Sequence, residues 1–407
     1  MPELRFFKFE DTWEDKILGE VSNVQTGPFG SQLKNEQYIT GGTPVVTVEH
    51  IKDFWINSFD YPSVTDEDRE RLKKYSLKSG DLVFSRVGSV DLSACVEDYQ
   101  EGWLFSSRML RVRPNKQLKP RFLAYFLQQI KVRRYIVRIS VGSTMPSLNT
   151  EILQSLPIKY CSIAEQQKIA SFLGAIDTRL TQLRRKHKLV QTYKRGVMQK
   201  LFSQQIRFKC DDGQPFPDWE EKRLESVCTM TSSKRIYLEE YVKDGIPFYR
   251  GKEVTELKQG KKPNDILYIS RNKYEEIREK YGIPITGDIL ITAVGTLGNV
   301  WRINRNYDFY FKDGNLIWLK NISTNSIFLA ILLQENTEEL IKTSIGSTQK
   351  ALTIVELKKI SLNFPCLQEQ EKIADFLTAI DQKIEAVAKQ IDLTEQFKKG
   401  LLQKMFV

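Results

Sequence analysis

The segment EQQKIASFLGAID at residues 165–177 recurs as EQEKIADFLTAID at 369–381, with ten of thirteen positions identical. The same offset of 204 residues relates GST at 142–144 to GST at 346–348, and YKRGVMQKLF at 193–202 to FKKGLLQKMF at 397–406. Upstream the echo is fainter and its offset drifts: TWEDKILGEV (12–21) resembles DWEEKRLESV (218–227), and SGDLVFSRVGS (79–89) resembles TGDILITAVGT (286–296). A two-copy period near 200 residues is too long for a solenoid, so each copy must be a domain carrying an appendage. The domain has diverged and the appendage has not.

The appendage reads as a long helix. Ile169, Leu173, Ile176, Leu180 and Leu183 follow alternating spacings of four and three, continued by His187 and Val190; the second copy supplies Ile373, Leu377, Ile380, Ile384 and Val387, then Ile391 and Thr394. Such a seam packs knobs into holes against a second helix. Phe172 and Phe376 widen the apolar stripe near each start, as if a globular domain also rests there. Ser162 with Glu165 forms a capping-box pattern, and Pro365 precedes the second run, so helices are expected over 163–202 and 367–406. Residues 165–202 carry nine basic and two acidic side chains, whereas 369–406 carry six basic and seven acidic. That bias favours pairing of the first helix with the second over self-pairing. His187 falls on the seam, where packing is its expected role.

Each upstream block reads as mixed α/β. Short β-rich stretches at 43–51, 80–87 and 109–114 are divided by turn formers, and helical patterns cover 120–136 and 325–344. The expected divisions are 1–158, 159–205, 206–362 and 363–407, alternating globular domain and helical spacer.

Composition matters chiefly through charge. A formal net charge of +10 favours a polyanionic partner, with nucleic acid ahead of an acidic protein surface. No run approaches eighteen apolar residues and the N-terminus is acidic where a signal peptide would be apolar, so a cytoplasmic protein with no membrane role is expected. Five cysteines without a CxxC pair and only two histidines argue against a disulfide framework, a metal centre or histidine catalysis. GSVD (88–91) and GTLG (295–298) lack the spacing of a phosphate-binding loop and read as strand-ending turns. PDWEEK (217–222) is too crowded to hold a metal between opposed carboxylates.

Polar loops carry the right chemistry for base edges. QTGPFGSQLK (25–34) offers Ser31, Gln32 and Lys34, and its counterpart TMTSSKR (229–235) offers Ser233, Lys234 and Arg235. Arg86, Arg108, Arg250, Lys312 and Asn315 stand near expected strand ends. Arg and Lys match guanine acceptors and Gln or Asn match adenine, so diverged loops would read different bases. The alternative is that these are surface turns or touch only phosphates.

Taken together, GSTMPSLNTEILQSLPI with AEQQKIASFLGAID, its repeat GSTQKALTIVELKKISL with QEQEKIADFLTAID, and the GDLVFSRVGS and GDILITAVGT segments closely resemble the DNA sequence-specificity subunit of type I restriction-modification systems. The resemblance spans nearly the whole chain. It implies an α+β fold: two tandem α/β target-recognition domains, each followed by a long helix, the helices pairing as an antiparallel coiled coil. It implies that each domain reads half of a split site in double-stranded DNA, with Ser143, Thr144, Ser347 and Thr348 of the repeated GST turns as further candidate contacts. It also implies a non-catalytic chain that binds no cofactor. Two modification subunits that use S-adenosylmethionine to methylate adenine would dock on it, and restriction subunits driven by ATP and Mg²⁺ would join them. With antiparallel helices about 60 Å long, the rod would act as a ruler for the unread gap. Two other readings compete: a coiled-coil scaffold for acidic proteins, and an enzyme, such as a nuclease, with an unrecognised site.

Overall fold

The computed structural model describes every residue except 1, 29, 31, 53, 57–59, 143, 305, 347–349 and 407. The chain divides into two compact units, one formed by 1–187 with 387–407 and the other by 188–386.

The main sheet of the first unit runs in the order Ser22–Thr26, Met109–Pro114, Leu82–Ser85, Ser93–Cys95, with Trp55–Ile56 and Ile51–Lys52 added at one edge. In the second unit Thr229–Thr231, Leu316–Lys320, Ile289–Thr292 and Val300–Arg302 follow the same order. A second sheet repeats as well. Thr43–Val46 lies parallel to Leu104–Phe105, and Ile246–Tyr249 lies parallel to Tyr310–Phe311. A two-stranded ribbon then pairs Glu14–Ile17 with Pro157–Tyr160, as Glu220–Arg223 pairs with Ser361–Phe364. Topology thus preserves the duplication where the sequence has lost it.

The strands are nearly continuous apolar runs because the main sheet is buried on both faces. Alternation sends Leu82, Phe84, Leu110 and Val112 to one core and Val83 and Met109 to another. In the second unit Ile289, Ile291, Ile317 and Leu319 are divided from Leu290, Leu316 and Trp318 in the same way.

The expected helices at 120–136 and 325–344 are each broken in two. The first gives Pro120–Leu127 and Ile130–Ile139, the second Ser326–Glu335 and Thr337–Lys342. The backbone leaves helical geometry at Gln129 (φ −61°, ψ 135°) and at Asn336 (φ −95°, ψ 20°), and a side-chain amide sits at each break. Gln129 Nε2 donates to Phe126 O at 2.9 Å, and Asn336 Nδ2 donates to Leu332 O at 2.8 Å.

The two long helices, α1 (Ile163–Phe202) and α2 (Leu367–Lys404), start where the sequence signals them. The capping box is not what Glu165 forms. Its carboxylate is fully buried and takes the Arg5 guanidinium in a fork, 2.7 Å on each arm. The next residue, Gln166, is also buried; its amide donates to Cys161 O and Gln117 O and accepts from Lys119 N. The repeat does the same. Glu369 meets Arg207 at 2.8 Å and Trp219 Nε1 at 3.2 Å, while Gln370 donates to Pro365 O and accepts from Asn325 N. The repeated Glu-Gln pair therefore fastens the start of each long helix to its own globular part.

The remainder of the repeated segment joins helix to helix. Within the first unit Asp177 pairs with Lys398 at 2.7 Å and Arg184 with Glu395 at 2.8 Å. Within the second, Asp381 pairs with Lys194 at 2.6 Å. Rising numbers on α1 meet falling numbers on α2, so the helices run antiparallel. Asp177–Lys398 and Asp381–Lys194 are one contact with the helices exchanged. Ile169, Leu173, Ile176, Leu180, Leu183, Ile373, Leu377, Ile380 and Val387 are buried, Ile384 is half-buried, and His187 is half-buried on the same seam. The helix ends follow the same exchange: Phe406 packs on Trp13 and Phe122 in the first unit, Phe202 on Trp219 and Phe328 in the second.

One buried residue is handled differently in the two units. Asp81 and Asp288 both follow a glycine and both accept a backbone N–H, from Lys78 and Ile285. Arg113 neutralises Asp81 through two bonds of 2.7 and 2.6 Å. Among the described residues Asp288 forms no ion pair; beside its backbone donor it has the indole N–H of Trp318 at 2.8 Å, and burial pushes its carboxyl pKa up. Removing the charge should therefore cost the first unit and spare the second. Asp81→Asn is expected to destabilise by about 1.5–3 kcal/mol, the worth of hydrogen bonds to charged groups. Asp288→Asn is expected to change stability by less than about 1 kcal/mol. Because the folded pKa of Asp288 is raised, any gain from its removal is greatest at neutral pH and fades as pH falls through that pKa. Urea unfolding of both variants at pH 7 and pH 5 checks the contrast.

Candidate nucleic-acid interface

In each unit, three antiparallel strands of the main sheet deliver their loops to one end. In the first unit these loops follow Thr26 and Ser85 and precede Met109. They are tied together and to the loop after Val141: Arg86 N donates to Arg108 O at 2.9 Å, Leu148 N to Arg86 O at 2.8 Å, and Gly88 N to Pro146 O at 2.8 Å. Gly27 closes the set, because a Cβ there would stand 2.0 Å from Ser106 O. Gly88, and Gly295 in the repeat, take φ of 82° and 79°, so both glycine motifs are strand-ending turns.

This geometry brings Arg86, Arg108 and Thr144 to one loop cluster. Arg86 is half-buried and reaches Thr26 Oγ1 at 3.4 Å; Arg108 and Thr144 are exposed. Gln32 is anchored elsewhere, accepting from the Tyr75 hydroxyl at 2.7 Å while its carbonyl accepts from Arg71 at 2.8 Å. Lys34 is exposed beside it. Ser31, Ser143, Ser347 and Thr348 lie outside the described residues.

The corresponding end of the second unit gathers Ser233, Lys234, Arg235, Lys312 and Asn315. Ala293 N donates to Asn315 O at 2.8 Å, and Leu352 N to Ala293 O at 2.9 Å. Gly314 N donates to Ser232 Oγ at 3.4 Å, and Arg235 Nε to Asp313 Oδ2 at 2.9 Å, which holds the Arg235 pKa up. Lys234 is exposed with its ammonium 4.3 Å from the Tyr281 ring centroid, and the Ser233 hydroxyl oxygen is shut from solvent without a partner. Lys312 and Asn315 are half-buried. Arg250 is turned inward, its guanidinium 2.6 Å from the fully buried Glu253 and 3.0 Å from Asp265 O. Arg250 and Asn315 line a cleft with Gly295, Thr296 and the helix Gly251–Lys258. Lys252, Glu256, Gln259 and Lys261 also line it, and sequence reasoning missed them. They share no motif, and only the fold brings them to one cleft with Asn315.

Among the described residues, no group of three or more His, Cys, Asp or Glu side chains is placed to hold a metal ion. Cys95 and Cys228 are buried thiols whose pKa burial pushes up to about 12, a reason for their being inert. No described helix is long and apolar enough to cross a membrane.

A duplicated α/β domain with a loop cluster at one sheet end, each copy followed by a long helix of an antiparallel pair, defines the class as a tandem-domain protein with paired helical spacers. The family model for the type I restriction modification DNA specificity domain matches residues 10–191 and again 217–395, and the chain belongs to that family of DNA-recognition subunits. It is 28 % identical to a putative type I restriction enzyme specificity subunit of Methanocaldococcus jannaschii, covering 96 % of this chain and 92 % of the relative. A putative type I specificity subunit of Haemophilus influenzae is 24 % identical, covering 95 % and 92 %. The crystal structure of the S subunit from M. genitalium superposes with a TM-score of 0.61 over 100 % of this chain and 99 % of that one, at 17 % identity. A structure described for complex assembly and conformational transition of the type I R-M system gives 0.60 over 98 % of each chain, at 20 % identity.

Proposed function

We propose that each unit reads one half of a split double-stranded DNA site through the loop cluster at the end of its main sheet, and that the chain thereby directs adenine methylation and restriction carried out by partner subunits. The observation that carries this is a matched pair of sheet ends with unmatched side chains. Arg86 and Arg108, joined N–H to carbonyl, stand where the second unit has Ala293 and Asn315 joined in the same way, and only the second unit adds Lys234 and Lys312 nearby. The same scaffold with different donors and acceptors is what reading two different sequences requires. Replacing residues 1–158 with the matching block of a relative should change one half-site and leave the other. Sequencing the methylated sites made by the chimeric complex checks this; if both halves changed, or neither, the modular reading would be wrong.

The partners we propose are two modification subunits, one for each of two equivalent surfaces. Leu189 and Tyr193 on α1 are 58 % and 55 % exposed, and their repeats on α2, Leu393 and Phe397, are 52 % and 57 % exposed. Each pair is four residues apart and so forms one apolar knob on one helix face. An exposed leucine alone is ordinary, but the same exposed pair kept in both copies marks a surface that binds. S-adenosylmethionine belongs to those subunits, and ATP with Mg²⁺ to the restriction subunits that join them. A complex working on DNA in this way resides in the cytoplasm.

A further inference from the structure

The helix Ile130–Ile139 carries cations where its repeat carries acids. It buries Val132 and Ile136, and on its other side Lys131, Arg134 and Arg138, spaced by three and four residues, form one exposed stripe about 10 Å long. Among the described residues none of the three meets a carboxylate. Arg138 lies over the Tyr135 ring, 4.9 Å from its centroid, a contact that uses the face of the guanidinium and not its N–H groups. Arg133, between them, is neutralised by Asp91, with Nε 2.8 Å from Oδ2. Like charges three and four residues apart repel, and a cation in the first turn opposes the helix dipole. The apolar face holds the helix in spite of its stripe. At the 204-residue offset the second unit has Glu335, Glu338 and Lys342, all exposed, and Glu339 takes the Lys342 ammonium at 2.5 Å. The same surface is cationic in one unit and acidic in the other.

The helix ends two residues before Val141, where the turn begins whose far side is bonded to the loops of Arg86 and Gly88. The stripe therefore runs up to the loop cluster of the first unit. Three unpaired cations fit a polyanion, and the polyanion at that cluster is the phosphate backbone of a bound duplex. Arginine matches it with paired N–H donors. A protein partner present in two equivalent copies fits badly, because the second unit would repel what the first attracts.

We propose that Lys131, Arg134 and Arg138 bind DNA phosphates beside the half-site read by the first unit, and that the second unit makes no matching contact. This rests on the assignment of one half-site to each unit. The test uses the full complex of this chain with its modification subunits on a synthetic duplex carrying its methylated site. Replacing Lys131, Arg134 and Arg138 together by Gln should weaken binding at least about tenfold at about 0.15 M salt. The slope of log affinity against log salt should fall by about 2–3, since each phosphate contact contributes about 0.9, and the methylated sequence should stay the same. Neutral methylphosphonates beside the first half-site should weaken the native complex and leave the triple variant unaffected. Lys342→Gln should leave the slope where it is. An unchanged slope in the triple variant overturns the inference, and a fall of about 1 for Lys342→Gln overturns the asymmetry. Loss of a modification subunit from the triple variant also overturns it, by showing that the stripe faces protein. Failure of the underlying assignment looks different, because the native complex would then methylate no split site at all.

Discussion

Aspartate at Leu189, Tyr193, Leu393 and Phe397 together should abolish stable association with the modification subunit while the chain itself stays folded. All four side chains are more than half exposed, so their loss removes little from either core. In a complex they would be the apolar centre of each docking surface, and burying a leucine or aromatic ring there is worth about 1.5–3 kcal/mol. A carboxylate in the same place adds the cost of an unpaired buried charge. Each doubly substituted surface should therefore weaken binding by at least about a hundredfold, or roughly 2.7 kcal/mol. The two surfaces are repeats, so the losses should be separable. Replacing only Leu189 and Tyr193, or only Leu393 and Phe397, should leave a complex with one modification subunit in place of two. Mass measurement of the purified complexes decides: a fourfold variant that still carries two subunits would show that the partners dock elsewhere.

Arg5→Ala should be the most destabilising single substitution among the residues that fasten the long helices. It leaves the Glu165 carboxylate fully buried with its forked partner removed. Breaking a buried ion pair by removing one partner costs about 3–5 kcal/mol, because the remaining charge is desolvated and unpaired. In a unit of about 200 residues that should lower the melting temperature by roughly 6–20 °C. Arg207→Ala is the internal comparison. Glu369 keeps the indole N–H of Trp219 at 3.2 Å, so the loss should be smaller. Adding Glu165→Gln to Arg5→Ala should recover part of the stability, since a neutral amide tolerates that site better than an unpaired carboxylate. Calorimetry of the isolated chain gives all three values. Equal losses for the two arginine variants, or no recovery in the double variant, would mean that the buried charge does not dominate.

The sequence by itself determined the duplication, the two long helices to within two residues, their apolar seam and the absence of any recognisable catalytic motif. These are legible because a helix seam repeats every three and four residues and so writes itself into a short window. A 204-residue offset likewise survives wherever both copies keep the same contact. Tertiary structure alone decided what the repeated segment is for. Glu165 looked like half of a capping box, but its partner is Arg5, 160 residues away. Asp177 and Lys194 carried no periodic signal, because each pairs with the other helix. The helix breaks at Gln129 and Asn336 are local departures of the backbone from helical angles, which an apolar pattern does not register. At the sheet ends the limit was the same. Arg86, Arg108 and Thr144, or Lys234, Lys312 and Asn315, are distant in sequence and become neighbours only because antiparallel strands return their loops to one edge. Arg250 met every criterion of residue type and position, yet it faces inward to Glu253. Whether a polar side chain meets a partner or is left free for a ligand depends on groups far along the chain, and only the folded chain brings them within hydrogen-bond reach.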